Sequence, residues 1–316
     1  MGTRNNSEKW LVVVNPNAGQ RKGSKDWEKI NSLLTAYGIA TEVKFTEGKR
    51  HATEIVAQAI TGEFRNFIAV GGDGTMNEIV NGVLGQNNIP SHQITIAMIP
   101  VGTGNDWGRM FGIPNDYEGA IKLIKEKSTC LSDAGVATYT TPPGSEKRYF
   151  INIAGLGFDA EVVRKTNAQK DKGRNSKAIY FYNLLGSLLF YRNTTTTVTV
   201  DGKEFTNKVF TISVGIGKFS GGGMRQTPEA RYDDGLFDMT VIKGMWKGKI
   251  IMSLMKLYDG TILDHPRIDG YKGKNILITS QPPVNLEADG ESLGSTPLEL
   301  NIIPGAVNVV FNSDLR

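Results

Sequence analysis

Two kinds of apolar spacing divide the chain. Through the first 130 residues, short apolar runs alternate with stripes at helical spacing. Leu11–Asn15 is an apolar run that closes on Asn-Pro, which predicts a strand and then a turn. Trp27, Ile30, Leu33, Leu34 and Tyr37 fall on one helical face. Thr41–Phe45 reads as a strand, and Ile55, Val56, Ala59 and Ile60 as a second helix. Phe67–Val70 predicts a buried strand and Ile94–Ile99 the next strand, each followed by a helix: one carries Ile79, Val80, Val83 and Leu84, the other Ala120, Ile121 and Ile124. Such alternation predicts a parallel sheet wrapped by helices.

After about residue 133 the period changes. Arg148–Ala154, Thr195–Val200, Val209–Gly215, Leu236–Ile242, Lys274–Thr279, Val284–Ala288, Leu298–Ile303 and Val307–Phe311 read as strands. Asp201-Gly202, Asp234-Gly235 and Pro304-Gly305 punctuate them. Short strands with turn residues between them predict a sandwich or barrel. The expected organisation is an α/β domain over residues 1–133 and a mostly β domain over residues 134–316, with the extreme C-terminus packing back on the first.

Composition adds constraints. Of 316 residues, 39% are hydrophobic and 22% charged, within the range of globular proteins. No run of about 18 apolar residues offers a membrane-spanning helix. MGTRNNSEKW has no apolar core behind its charges, so no signal peptide is expected. The single cysteine, Cys130, excludes an internal disulfide and a cysteine-cluster metal site, fits a reducing compartment and is expected in the core. A net charge of +4 is too small to argue for nucleic acid, and none is expected as a partner. It suits phosphate-bearing ligands and an anionic membrane face. The 37 glycines, about 12% of the chain against a usual ~7%, cluster in short loops where a backbone turns sharply or approaches a ligand.

The strongest such loop is Gly71-Gly72-Asp73-Gly74-Thr75, between a predicted strand and a predicted helix. Ligands collect at the carboxyl ends of parallel strands, where glycine amides and a helix N-terminus attract anions. Asp73 puts a carboxylate there, which beside phosphates works through a cation or a substrate hydroxyl. Read alone, the loop is a glycine turn with Asp73 as helix cap. Two companions argue otherwise: Asn15-Pro16-Asn17-Ala18-Gly19 closes the first strand, and Gly102-Thr103-Gly104-Asn105-Asp106 follows Ile94–Ile99 and Pro100.

This ordered set, with Asn77-Glu78 and Asn81-Gly82 after the second loop, resembles the diacylglycerol/sphingosine kinase superfamily, and most of all the bacterial diacylglycerol kinases and their YegS-type relatives. Gly157-Phe158-Asp159, Gly221-Gly222-Gly223, Pro228-x-Ala230-x-x-Asp233-Asp234-Gly235 and Asp289-Gly290-Glu291 stand in the family's order, so the resemblance covers nearly the whole chain. It implies an N-terminal three-layer α/β domain like that of NAD kinases and phosphofructokinases, and a C-terminal β-sandwich with a few helices. It also implies ATP-dependent phosphorylation of a lipid hydroxyl with Mg2+.

By position, Asn15, Pro16, Asn17, Ala18, Gly19, Thr46, Gly72, Asp73, Gly74, Thr75, Met76, Asn77, Glu78 and Thr103 would contact ATP. Asp73 and Asp106 would belong to the catalytic centre, and Glu291 would be the proton acceptor. A structural magnesium would take the Asp234 side chain and main-chain oxygens of Arg231 and Leu236. Asp133 and Lys177 match family positions that bridge to this region. Relatives place a cation directly after the glycine of the first loop; here Gln20 stands there, followed by Arg21 and Lys22. The resemblance further implies a role in lipid metabolism, a cytoplasmic location with transient peripheral membrane contact, and the homodimer usual for relatives.

Other signals are weaker. Gly155-Leu-Gly-Phe-Asp-Ala160 matches a dinucleotide pattern, but the polar, basic Lys165–Lys177 stretch follows it rather than the expected unit. No G-x-x-x-x-G-K-[ST] and no protein-kinase signature is present. His51, His92 and His265 lack metal spacing. Residues 179–192 are rich in aromatic and aliphatic side chains, and Lys243–Lys249 sets Met245 and Trp246 among lysines ahead of the apolar Ile250–Leu257. Both suit either core helices or a membrane interface. The rival readings are NAD kinase-like phosphorylation of a soluble nucleotide and a non-catalytic nucleotide- or lipid-binding protein.

Overall fold

A computed structural model describes residues 6–142, 144–170, 186–188 and 190–315. Lys177 and most of the apolar 179–192 segment lie outside the described residues. The chain forms two compact units, one of residues 1–134 and 304–316, the other of residues 135–303.

The first unit is built on parallel strands β1 (Trp10–Val14), β2 (Thr41–Phe45), β3 (Asn66–Gly71) and β4 (Thr95–Pro100), in the order β4-β3-β1-β2. Residues 308–309, near the end of β16 (Glu291–Val310), extend this sheet beyond β4, again in parallel. β1 is buried throughout, and β3 and β4 at all but their first residue, as continuous apolar strands covered on both faces should be. Helices α1 (Ala18–Lys25), α2 (Trp27–Ala36), α3 (His51–Thr61), α4 (Asp73–Leu84), α5 (Asp106–Met110) and α6 (Tyr117–Glu126) connect them. α3 buries Ala52, Val56 and Ile60 at a spacing of four, and α4 buries Met76, Ile79, Val80 and Val83. Cys130 is buried, as expected.

The second unit is β-rich. β5 (Thr129–Thr141) enters it and forms a hairpin with β6 (Gly144–Phe150). β7 (Ile153–Gly157), β8 (Thr194–Val200), β9 (Lys203–Gly215), β14 (Asn275–Gln281), β15 (Asn285–Ala288) and β16 pair antiparallel in a closed circuit, β9-β8-β14-β16-β15-β7-β9. β10 (Phe219–Ser220) and β11 (Met224–Arg225) form a small separate ribbon, and β12 (Phe237–Lys243) and β13 (Ile268–Gly273) extend the sheet from β9. The long β9 changes partner along its length: residues 203–209 face β8, and residues 211–215 face β7. Alternating residues fill the interior, with Phe150 and Phe237 stacked at its centre, 5.8 Å between ring centroids. α7 (Phe158–Lys170) follows β7, and α8 (Lys247–Asp259) follows β12.

Three sequence expectations need correction. Arg148–Ala154 is not one strand: it breaks at 151–152, where main-chain amides turn to the Asp289 carboxylate. Pro304-Gly305 is not a turn between two strands, since β16 runs through it; Gly305, at φ +56°, donates its amide to Asp133 Oδ1 at 2.8 Å. A helix, α7, does follow the Gly155–Ala160 motif, yet β7 runs antiparallel to both of its neighbours, so no dinucleotide-binding βαβ unit exists there.

Candidate active site

In the first unit, parallel pairing brings the carboxyl ends of β1, β3 and β4 to one edge, and the three loops that leave them touch. The Asn15 amide donates to Val70 O at 3.0 Å, and the Val101 amide to Gly71 O at 2.9 Å. Asn15 Nδ2 donates to Thr75 Oγ1 at 3.2 Å. A side chain at Gly19 would come within 1.8 Å of Val101 O, and one at Gly102 within 2.7 Å of the Gly72 Cα, so the loops meet main chain to main chain.

The first loop has a left-handed run: Gly19, Gln20 and Arg21 hold φ of 58°, 61° and 70°. Successive amides in such a conformation form a concave, anion-seeking surface. Asn17 is exposed, with its amide 3.0 Å from Asn15 Oδ1, while Pro16 and Ala18 are half-buried. Arg21 and Lys22, the cations nearest Gln20, are exposed.

Asp73 is not the cap of α4, a place taken by Gly72. Its Oδ1 accepts the Trp107 amide at 2.9 Å, which ties the second loop to the start of α5. A Cβ added to Gly104 would lie 3.2 Å from Asp73 Oδ2 and 3.3 Å from Asp106 Oδ2, so both carboxylates face one spot. Burial pushes the Asp73 carboxyl above the usual carboxylate range, against the opposing pull of the Trp107, Asp106, Asp73 and Asn105 amides. Asp106 is buried, and Arg109 Nε stands 3.8 Å from it. Gly74 is half-buried and Thr103 exposed at the same edge.

Other expected nucleotide contacts do different work. Glu78 accepts the amides of Arg50 (2.8 Å) and Ala52 (3.1 Å) and so caps α3. Met76 and Asn77 are fully buried in α4, and Asn77 accepts from Asn81. Thr46 is buried, and its amide extends the pairing of β2 to Val14 O.

In the second unit, Asp289 and Gly290 form the tight turn between β15 and β16, with φ of 48° and 78°. Asp289 accepts the amides of Ile151, Asn152 and Ile153 at 3.0, 3.0 and 3.1 Å. That fixes the turn from which half-buried Glu291 projects. Beside it lies a carboxyl that the sequence reading missed. Glu287, paired with Gly155 on β7, is buried and accepts the Gly290 amide at 2.9 Å. Burial pushes its pKa to about 8, and the nearby Asp159, Asp289 and Glu291 charges add to the rise. Burial likewise lifts Asp159 to about 6, although it accepts Gln226 Nε2 at 3.0 Å. An acidic residue within the apolar run Val284–Ala288 was the available signal for Glu287. A cavity of 360 Å³ opens nearby, bounded by Glu161, Lys165, Phe190, Tyr191, Val284 and Asn285 among the described residues.

Asp234 is exposed, and its Oδ1 accepts the Leu236 amide at 3.1 Å. Arg231 reaches Asp233 at 3.5 Å. Carboxylate and main-chain carbonyl oxygens in one turn are the donors that a hard divalent cation takes. No cluster of three or more His, Cys, Asp or Glu suited to a metal occurs among the described residues.

Residues 152–311, just over half of the chain, match the YegS C-terminal NAD kinase beta sandwich-like domain, and residues 9–137 match the diacylglycerol kinase catalytic domain. The chain belongs to the diacylglycerol kinase family, YegS type. This lipid kinase is 29% identical over 311 residues to diacylglycerol kinases of Staphylococcus aureus strains, covering 96% of this chain and 94% of theirs. A crystal structure of a Bacillus anthracis protein assigned as a diacylglycerol kinase superposes with a TM-score of 0.77 at 26% identity, over 98% of this chain and 99% of that one. Yeast NADH kinase, at 12% identity and TM-score 0.56 over 97% and 84% of the two chains, shares the fold alone.

Proposed function

We propose that this lipid kinase transfers the γ-phosphoryl group of ATP to the free hydroxyl of diacylglycerol or a closely related lipid, with Mg2+. The observation that carries the reading is the meeting of three strand-end loops around Asp73 and Asp106. Amides of the 15–21 loop and the start of α4 bind phosphates, and Asp73 and Asp106 serve the reacting centre. Phosphoryl transfer depends mostly on such positioning and on charge neutralisation. Glu291 accepts the hydroxyl proton. Its buried neighbour Glu287 keeps its proton below pH ~8 and so adds no charge beside it. Asp234, with main-chain oxygens of Arg231 and Leu236, is the place for a structural magnesium. When bound with ATP, magnesium neutralises charge on the phosphates.

Diacylglycerol is the first acceptor to test because the S. aureus relatives carry that name. Asp73→Ala and Glu291→Ala should each lower phosphorylation of dispersed diacylglycerol by ~100-fold or more, with unchanged circular dichroism. Full activity in both variants would overturn the assigned centre. Label passing from ATP to NAD instead of to lipid would overturn the acceptor.

A further inference from the structure

Helix α8 is apolar on both sides. Its inner side buries Ile250 and Leu257 in two separate clusters, one with Phe158 and Phe210, the other with Ile262 and Ile268. That packing already satisfies an amphipathic helix. The outer side nevertheless carries Ile251, Met252, Met255 and Tyr258, spaced as neighbours on one helical face, with Met252 76% and Met255 71% exposed. Trp246, at the N-cap, is 75% exposed. Water does not hold such a stripe without cost, and exposed apolar patches of this kind mark interaction surfaces.

Charge identifies the partner. α8 has no acidic residue in its first turn, where the helix dipole favours one, and instead begins Lys247-Gly248-Lys249. Cations there oppose the dipole. A layer of anionic groups outside the helix would answer both Lys249 and the helix end. Trp and Tyr at the two ends of an apolar stripe, with lysines at its rim, are the side chains that lie at a lipid–water boundary.

We propose that the outer face of α8, together with Trp246, seats the kinase on a bilayer surface bearing anionic headgroups; the inference rests on the lipid-kinase reading above. The helix lies in the interface plane and is too short to span it: no helix among the described residues is long and apolar enough to cross a membrane.

The test is co-sedimentation of the full chain with phosphatidylglycerol-containing vesicles and with pure phosphatidylcholine vesicles. The protein should bind the former at least tenfold better. Met252→Glu with Met255→Glu should lower that binding at least tenfold with an unchanged circular-dichroism melt, and Lys249→Glu should weaken it as a second, independent variant. On binding, tryptophan emission should shift to the blue. Trp246→Phe should abolish the shift, because Trp10 and Trp107 are already buried and half-buried Trp27 packs edge-on against Phe45 in the first unit. Equal vesicle binding by wild type and by both the double variant and Lys249→Glu would overturn the proposal. So would a wild-type dimer that the double variant splits while vesicle binding stays intact, since a second copy would then cover the face. Phosphorylation of dispersed short-chain dioctanoylglycerol separates the two readings. Activity there with no vesicle binding sinks only the docking surface, whereas its absence in wild type sinks the diacylglycerol acceptor proposed above.

Discussion

Gln20 and Arg21 hold backbone conformations that cost an L-residue roughly 1–2 kcal/mol each. Such strain persists where the surroundings fix it, and it gathers at ligand sites. The sequence drew attention to position 20 for its missing cation. The structure shifts the emphasis to main-chain amides, whose direction no residue type at 20 or 21 reveals. Glu287 was hidden for a related reason: its chemistry comes from Gly155 opposite it and from the turn beyond, not from its own spacing. Its proton makes a testable prediction. The native carboxyl keeps its proton to about pH 8, whereas an unfolded chain releases it near 4.5. The stability it contributes is therefore complete below about pH 4.5 and lost as pH rises through 8. Glu287→Gln should melt progressively higher than wild type from pH 5 to 8, and the gap should then level off. A gap that does not change with pH would show that the carboxyl is ionised throughout.

The β15–β16 hairpin shows how an element converts a turn into a site. Asp289-Gly290 was legible in the sequence as a turn and, by resemblance, as part of the centre. What the sequence did not carry is the carboxylate's grip on three amides more than 130 residues away. The same grip splits the strand expected over Arg148–Ala154. Asp289→Ala strands those amides and should cost about 2–4 kcal/mol, at 1–3 kcal/mol for each buried donor and with partial rescue by water. It should also lower turnover by releasing Glu291, with little change in the Michaelis constant for ATP. Denaturant melts and steady-state kinetics on the same preparation check both parts. The strand-end loops of the first unit were the most legible elements. Parallel strands put every β-to-α loop on one edge, so order along the chain becomes proximity in space.

Across the whole molecule, the first unit is discontinuous. Residues 304–316 return to it after the second unit is complete. Ser91 Oγ donates to Ala306 O at 2.6 Å, the Gly305 amide to Asp133, and the Asn312 amide to Phe111 O at 2.9 Å. A fragment of residues 1–134 leaves β4 as an open edge, a liability for pairing with other chains. It should be markedly less stable, and more prone to aggregate, than the same fragment with residues 304–316 joined through a flexible linker. Equal melts for the two would show that the final segment adds nothing to this unit.

Because residues 308–309 follow the whole of the second unit along the chain, the parallel sheet that carries Asp73 cannot be completed until that unit has been synthesised. A stop codon anywhere within the second unit would thus injure the half that was synthesised first.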